Sequence, residues 1–179
     1  ALGFVRRAAR RAEKLKMWVE FLQGRPSYQT LSGAHWRARK DPGPTGDPLD
    51  SRSGLLWISP VLPMTAEAVE EVSRLGRAHF HRFGFEFQVT LSMLSDRALC
   101  ELMSLHFDRA NPEEARRAAA CQESLVKELL DRGYVPYRCG PEALGQIQAA
   151  APEYWDVARR LKNALDPRNV IAPGRYIPS

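Results

Sequence analysis

Three side chains in the last quarter of the chain are of types that can bind an anion. Tyr137 and Arg138 are neighbours in GYVPYRCG, and Arg175 follows a Pro173-Gly174 bend in IAPGRY. Arginine stays cationic and a tyrosine hydroxyl can donate a hydrogen bond, so both favour the charged form of an acidic ligand. Each feature has an ordinary alternative, because a Tyr-Arg pair is often a surface pair and a helix end can be followed by a surface arginine.

The residues before Arg175 predict a helix that ends in a rigid tail. Three- and four-residue spacings give the helix an inward face of Trp155, Ala158, Leu161 and Leu165. Asp166-Pro167 ends this helix, because the residue before a proline is pushed out of the helical region. Asn169 then suits a turn, and Val170 and Ile171 are predicted to be buried anchors. The tail would thus bring Arg175 to a defined place.

No other residues form a recognisable metal or nucleophile site. His79 and His81 are two residues apart on a predicted helix and therefore lie on different faces. We interpret all four histidines as structural or solvated. The three cysteines have no metal-ligand spacing, so reduced thiols in a cytoplasmic setting are expected. The sequence contains no GxSxG, HExxH or Walker loop.

Composition and charge indicate a globular, water-soluble domain. Hydrophobic residues make up 44% and charged residues 26% of the 179 residues, and no apolar run approaches the roughly 20 residues of a membrane span. The start, ALGFVRRAARRAEKL, lacks a signal-peptide pattern and an initiator Met, which suits a piece cut from a longer protein. Residues 1–40 carry ten Lys/Arg and two Asp/Glu, against sixteen and nineteen in the remainder. This basic head suits a solvated helix or an acidic partner better than nucleic acid, because no nucleic-acid motif accompanies it.

Hydrophobic patterning predicts an α+β domain with the element order β-α-β-β-α-β. The predicted strands cover 54–62, 85–93, 99–107 (where a helix remains an alternative) and 134–138. Thr65 and Asn111 are predicted helix caps, and the two helices close near Gly84 and Gly133. This order is typical of a ferredoxin-like antiparallel sheet with both helices on one face, here with flanking N- and C-terminal helices. The other face of the sheet would be exposed to solvent, lined with polar contacts, or covered by another domain. If this face has a function, we expect it to be a covered cavity that binds a ligand.

Several stretches resemble a known family. LKNALDPRNVIAPGRY is similar to the closing signature of FAD-linked oxidases of the vanillyl-alcohol oxidase and 4-cresol dehydrogenase group. GRPSYQTLSGAHWR, GLLWISPV and FDRANPEEARRAAAC resemble further segments of that family, in the family's order, over most of residues 24–178. The resemblance implies an FAD-dependent oxidoreductase of aromatic compound catabolism.

The resemblance also implies roles for individual residues. In the family a Tyr-Arg pair binds the phenolate oxygen of a para-substituted phenol. The resemblance therefore implies that Tyr137 and Arg138 are the catalytic and substrate-binding residues. Hydride would leave the carbon attached at the para position for the flavin. Trp57 and Thr90 are further implied substrate contacts, and Arg175, Asn169 and Trp57 are implied cofactor contacts.

This chain departs from the family at three positions. Leu55 stands where some members carry a flavin-linking histidine, and no tyrosine lies between Tyr28 and Tyr134, so noncovalent FAD is expected. Thr90 replaces a carboxylate found in 4-cresol dehydrogenases, and Leu99 corresponds to their histidine. These losses weigh against phenol hydroxylation itself.

The resemblance implies a domain layout and partners. Residues 1–53 would be a basic helix and loop, 54–150 the cap (substrate) domain, and 151–179 a helix and tail returning to an FAD domain that this chain lacks. The chain alone would be inactive. A small aromatic substrate and the missing FAD domain are the implied partners; a homodimer and a cytochrome c electron acceptor remain open, and neither nucleic acid nor membrane is expected. Two alternatives remain: a fragment of an FAD-linked hydroxy-acid dehydrogenase, and a non-catalytic ferredoxin-like protein-binding module.

Overall fold

The computed structural model describes residues 11–13, 15–16, 18–25, 27–28, 35, 37, 51–175 and 177. The chain forms two compact units, the first made of residues 1–54 and 108–110, the second of 55–107 and 111–179. No helix in the described ranges is long and apolar enough to cross a membrane. Nor do these ranges hold a group of three or more His, Cys, Asp or Glu side chains placed to bind a metal ion.

In the first unit, the described residues between 11 and 22 are helical. Trp18 and Phe21 pack edge to face, with ring centroids 6.1 Å apart, and both rings are half exposed. Arg52 donates to both carboxylate oxygens of Asp108, and this hydrogen bonding lowers the pKa of Asp108. The predicted loop ahead of Ser51 lies outside the described residues.

The second unit is built on a four-stranded sheet. Its strands are β1 (Ser53–Ile58), β2 (Val61–Pro63), β3 (Val89–Met93) and β4 (Ala98–Asp108). β4 neighbours all three other strands and runs antiparallel to β2 and β3. Leu99 pairs with both Leu62 and Met93, so β2 and β3 flank β4 on opposite sides. The predicted α+β class is confirmed, and the third predicted strand is a strand rather than a helix.

Prolines change two of the predicted strands. The first predicted strand divides into β1 and β2 around Pro60, and the last shrinks to a bridge between Pro60 and Pro136. Two hydrogen bonds flank that bridge, from Val61 N to Val135 O (2.9 Å) and from Tyr137 N to Ser59 O (2.7 Å). A proline has no N–H to donate to a ladder, so regular pairing cannot continue through either residue. Residues 134–138 therefore run beside 59–61, as the predicted fourth strand would, but they form this bridge instead of a regular ladder of hydrogen bonds.

Two capped helices cover one face of the sheet. They are α1 (Ala66–Arg82) and α2 (Pro112–Asp131). Thr65 accepts a hydrogen bond from Ala68 N, and Asn111 accepts from the backbone N–H groups of residues 113 and 114, as predicted for both caps. The core between helices and sheet is apolar and fully buried, and its largest members include Phe80, Ile58, Leu62, Met103, Leu105, Leu125 and Leu129.

One carboxylate lies inside this core. Glu101 of β4 is fully buried, and its Oε1 accepts a hydrogen bond of 2.8 Å from Ser73 of α1. Its Oε2 has no hydrogen-bond partner among the described residues. Burial raises the pKa of Glu101, and the Ser73 hydrogen bond opposes that rise only in part.

Replacement of Glu101 by Gln should flatten the pH dependence of stability. A carboxyl whose pKa is raised in the folded state contributes most below its ordinary value of 4.5, and that contribution is lost as pH rises through the raised pKa. Urea unfolding between pH 4 and pH 8 measures this dependence. Glu70→Gln, at an exposed position of α1, is the control. Equal slopes for wild type and Glu101→Gln would contradict the assignment.

The C-terminal region forms two more helices, α3 (Pro141–Ala150) and α4 (Pro152–Leu165). The predicted inward face of α4 is wrong in part, because α4 has no buried residue and Leu161 and Leu165 are 59% and 83% exposed. The predicted burial of Val170 and Ile171 is also wrong, since both are about two thirds exposed. Hydrogen bonds from Val170 N and Ile171 N to the Asp166 carboxylate anchor the backbone of this segment, and they leave both side chains largely exposed.

Candidate functional site

The sheet face opposite α1 and α2 carries the side chains around the candidate site. Directly opposite residues of an antiparallel pair project from the same face. Thr90 pairs with Leu102, and Ser92 pairs with Cys100, whereas Leu91 pairs with the core residue Glu101. Thr90, Ser92, Cys100 and Leu102 therefore share the face that has no helix on it.

A cavity of about 590 Å³, here called the sheet cavity, lies on this face. Leu102 and Ser92 line it together with Trp57 of β1, and Tyr137 and Arg138 also line it. The other lining residues are Leu55, Leu56, Ser59, Leu94, Cys100, Gln122, Cys139 and Gly140. Two predicted substrate contacts, Tyr137 and Arg138, thus share one cavity with Trp57.

A second cavity of about 890 Å³, here called the arginine cavity, brings Arg138 and Arg175 together. Tyr137 and Cys139 line it as well, so residues 137–139 border both cavities. Its remaining lining residues are Leu130, Val135, Pro136, Leu144, Ile147, Ala150, Ala151, Tyr154 and Trp155. None of these described lining residues is acidic. Two guanidinium groups and no carboxylate make this cavity suited to an anion.

The Tyr137-Arg138 backbone is tied to the sheet. Tyr137 N donates to Ser59 O, and the Ser59 hydroxyl donates to Arg138 O at 3.4 Å. The Arg138 guanidinium carbon lies 5.5 Å from the centroid of the Tyr137 ring, a cation–π distance. These contacts position the pair, while the Tyr137 side chain stays 55% exposed and accessible to a ligand.

Asp166 anchors the tail that carries Arg175. Its carboxylate is buried, accepts from Lys162 Nζ, and accepts from the backbone N–H groups of Val170 (3.0 Å) and Ile171 (2.8 Å). The hydrogen bond from Lys162 contributes most to lowering the pKa of Asp166 to about 2, and the hydrogen bond from the Ile171 N–H contributes next most. Sequence reasoning gave this residue only a helix-ending role, and the missed signal is an Asp whose side chain can reach the N–H groups of the turn after it.

Replacement of Asp166 by Ala should release the tail. We expect trypsin to cut after Arg168 and Arg175 several-fold faster, because two backbone N–H groups and Lys162 lose their common acceptor. Mass spectrometry of a timed digest measures this. In the wild type the anchor is present above pH 3.8 and lost as pH falls through about 2, because the folded pKa is depressed.

Asp156→Ala is the matched control for that digest, because Asp156 pairs only with Arg159 and Arg160 on its own helix among the described ion pairs. Equal cleavage of the two variants would show that Asp166 does not hold the tail.

Some predicted site residues lie elsewhere. Thr90 is on the open face but exposed on β3, and it lines neither cavity. Asn169 lies in the tail turn with a φ of 49° and also lines neither cavity. Leu99 packs against the core on the helix side. Trp57 borders only the sheet cavity, and Arg175 borders only the arginine cavity. The roles assigned to these residues stay predictions.

Sequence reasoning missed Cys100 and Leu102 as cavity residues. The signal that could have found them is the alternation of a strand, which puts the even-numbered side chains of β4 on the face opposite the core residues. Burial raises the pKa of the Cys100 thiol, and it raises that of Cys121, inside the core, to about 12. Neither thiol is therefore set up as a thiolate nucleophile.

Comparisons with known proteins point to one group of flavoproteins. No family model matches the chain. The chain is 33% identical over 153 residues to 1'-carboxy-chondrochloren decarboxylase of Chondromyces crocatus, covering 86% of this chain and 28% of that protein. It is 26% identical over 167 residues to the 4-cresol dehydrogenase (hydroxylating) flavoprotein subunit of Pseudomonas putida, covering 91% of this chain and 29% of that protein.

Solved structures agree. The crystal structure of p-cresol methylhydroxylase with substrate bound superposes with a TM-score of 0.66 at 27% identity, over 69% of this chain and 24% of that one. A 4-ethylphenol oxidase from Gulosibacter chungangensis, in an isoeugenol complex, has the same TM-score at 18% identity. The match covers 70% of this chain and 25% of that chain, and it shows a shared fold. The chain thus spans between a quarter and a third of the curated relatives it matches. It is a relative, in sequence and in fold, of part of the vanillyl-alcohol oxidase and 4-cresol dehydrogenase group of flavoproteins.

Proposed function

We propose that the complete protein is an FAD-dependent oxidoreductase that oxidises a para-substituted phenol or a related aromatic alcohol. The observation that carries this proposal is that Tyr137, Arg138 and Arg175 line one cavity without an acidic lining residue among those described. The relationship to a 4-cresol dehydrogenase and to p-cresol methylhydroxylase supports it.

Tyr137 and Arg138 hold the phenol as its anion. A phenolic hydroxyl ionises near pH 10 in water, so keeping it ionised near neutral pH requires a cation and a hydrogen-bond donor. Arg138 supplies the charge and the Tyr137 hydroxyl supplies the donor. The electron density of the phenolate weakens a C–H bond of the substituent carbon attached at the para position, which favours departure of hydride from that carbon.

The residues of the arginine cavity fit a flavin that gains negative charge. When bound, FAD supplies the hydride acceptor. Arg175 and Arg138 would offset the added charge, because two cations face a cavity without an acidic lining residue in the described ranges. Trp57 and Asn169 are the further proposed flavin contacts. Leu55 lines the sheet cavity without a nucleophilic atom, which supports noncovalent attachment.

The remainder of the longer protein is the proposed partner of the C-terminal region. Leu161, Leu165, Val170 and Ile171 are each more than half exposed, an unusual density of open apolar side chains for one helix and its tail. The chain covers 28% and 29% of its two curated relatives. The FAD domain in the uncovered part would bury these side chains and bring the flavin to Arg175.

The flavin content of the full-length polypeptide tests this function. We expect a yellow protein whose flavin is released by acid precipitation and whose absorbance is bleached by 4-ethylphenol without oxygen. A colourless full-length protein would favour the non-catalytic module and overturn the proposal. Reoxidation by oxygen and by a cytochrome c compares the two electron acceptors, and sedimentation separates a monomer from a homodimer.

An acid substrate is a second candidate. The two arginines of the arginine cavity suit a carboxylate as well as a phenolate. One relative is by name a decarboxylase of a carboxylated compound, and a hydroxy acid belongs to the same class of ligand. Faster bleaching by mandelate, a hydroxy acid without a phenolic hydroxyl, than by 4-ethylphenol would favour this candidate.

A further inference from the structure

We propose that Lys162 and Ala172 are positioning residues that act on a bound anion through Arg175. Neither residue lines the sheet cavity or the arginine cavity, so their effect on a ligand there must pass through another side chain. The inference rests on the proposed function, since it takes Arg175 as a group that binds an anion. It assigns the part of the chain that holds the Arg175 guanidinium in place.

The tail around Arg175 has no buried side chain that could fix its conformation. From residue 167 to residue 175 only Asn169 is partly buried, and Val170 and Ile171 are 68% and 66% exposed. A segment with few buried contacts is normally among the most mobile parts of a fold. A defined place for Arg175 must therefore come from hydrogen bonds and from restraints on the backbone.

Lys162 joins both ends of the first half of the tail to α4. Its Nζ donates to the Asp166 carboxylate, at the end of the helix, and to the Ile171 carbonyl oxygen at 2.7 Å. The Lys162 side chain is 16% exposed and that of Asp166 is 5% exposed, so this ion pair is shielded from solvent. Breaking a shielded pair is costly, because the remaining partner keeps an uncompensated charge. Lys162 thus closes residues 166–171 into a loop of fixed shape.

Ala172 sets the direction in which the chain leaves that loop. Its φ is 43°, in the left-handed region that an alanine adopts only at a cost. Its carbonyl oxygen accepts from Arg175 N at 3.2 Å, across Pro173 and Gly174, whose φ is 70°. Proline followed by a glycine of positive φ is typical of a type II turn. This turn starts one residue after the carbonyl group that Lys162 holds, so the two restraints act in series on Arg175.

A double-mutant cycle on the binding of 4-nitrophenolate to the full-length protein tests the inference. Absorbance titration measures the affinity at a pH where free 4-nitrophenol is ionised. Arg175→Ala should weaken binding about tenfold or more, the usual loss for a hydrogen bond to a charged group. Lys162→Met should weaken binding about threefold or more in the wild type, and it should have no effect in the Arg175→Ala background. A direct electrostatic effect of the Lys162 charge would persist in both backgrounds.

Two further lysine variants separate positioning from a general loss of charge. Lys127→Met is the matched control, because Lys127 and Asp131 form the same i,i+4 ion pair on α2, at an exposed position that lines neither cavity. Lys162→Arg should restore most of the affinity, since it keeps a cation and hydrogen-bond donors beside Asp166. Circular dichroism checks the fold of each variant.

Ala172→Val tests the same inference without touching the ion pair, should Lys162→Met fail to fold. A β-branched side chain is not accommodated at a φ of 43°, so the turn before Arg175 should change its direction and binding should weaken. Ala172→Gly should lose clearly less affinity than Ala172→Val, because glycine adopts this φ without cost.

The outcomes separate the inference from the proposed function. If Arg175→Ala weakens binding but Lys162→Met and Ala172→Val do not, the inference is overturned and the role of Arg175 stands. The inference is also overturned if Lys162→Met weakens binding equally with and without Arg175, or no more than Lys127→Met does. Unchanged binding in Arg175→Ala overturns the anion-binding role of Arg175, and the inference with it. A loss in Lys162→Met that disappears in the Arg175→Ala background, and that Lys162→Arg restores, supports both.

Discussion

Arg138→Ala in the full-length flavoprotein should slow flavin reduction by a phenol by roughly 10²- to 10³-fold. That is the range for loss of one preorganised group that stabilises developing charge. Arg138 lines both cavities, and it is the one charged side chain among the described lining residues of the sheet cavity. No other described lining residue of that cavity can therefore replace its charge. Anaerobic stopped-flow measurement of flavin absorbance gives the rate directly.

Tyr137→Phe should have a smaller effect, of about tenfold, because it removes a neutral hydrogen-bond donor and leaves the cation in place. Arg132→Ala is the matched arginine control. Arg132 pairs with Glu71 and Glu128 on the helices, and it lines neither cavity. A rate for Arg138→Ala within a factor of two of that for Arg132→Ala would remove Arg138 from the proposed mechanism.

Phe80→Ala should lower the free energy of unfolding by about 3–5 kcal/mol, the usual range for a buried phenylalanine. Phe80 is fully buried in α1 and packs edge to face on Phe87, with ring centroids 5.5 Å apart. Phe87 also lies against Gly76, where an added Cβ would be only 2.6 Å from the Phe87 ring. The neighbours are too closely packed to fill the space that the lost ring leaves.

Urea unfolding followed by circular dichroism measures this loss. Phe21→Ala serves as the control, because the Phe21 ring is 49% exposed. This substitution should lower the free energy of unfolding by well under about 1 kcal/mol, as expected at a surface position. A loss below about 1 kcal/mol for Phe80→Ala would mean that the core between α1 and the sheet is not packed as described.

Local signals predicted much of this fold. The caps at Thr65 and Asn111 depend on a side chain and the first turn of its own helix, so the sequence contains the whole interaction. The alternation of β4 is similarly local. The prediction was wrong at Pro60 and Pro136, where a missing N–H interrupts the pairing of distant strands. It was wrong at Val170 and Ile171 because apolar residues indicate burial only if something in the same chain covers them.

The candidate site was predictable in its residue types more than in its shape. Tyr137, Arg138 and Arg175 were identifiable from their motifs, and they line one cavity in the structure. No sequence pattern could show that residues 137–139 border two cavities, since that depends on how α3, α4 and the sheet pack. Asn169 shows the converse, because a turn residue near Arg175 in sequence lines neither cavity.

The most direct test of the central claim is the pKa of a bound chromophoric phenol. Titration of 4-nitrophenol bound to the full-length protein, followed by its visible absorbance, reports whether the site favours the anion. We expect bound 4-nitrophenol to ionise at a clearly lower pH than free 4-nitrophenol, and this shift to shrink in Arg138→Ala and in Arg175→Ala. A bound phenol that ionises at the same pH as in water, in wild type and in both variants, would contradict the claim that the two arginines hold an anion together.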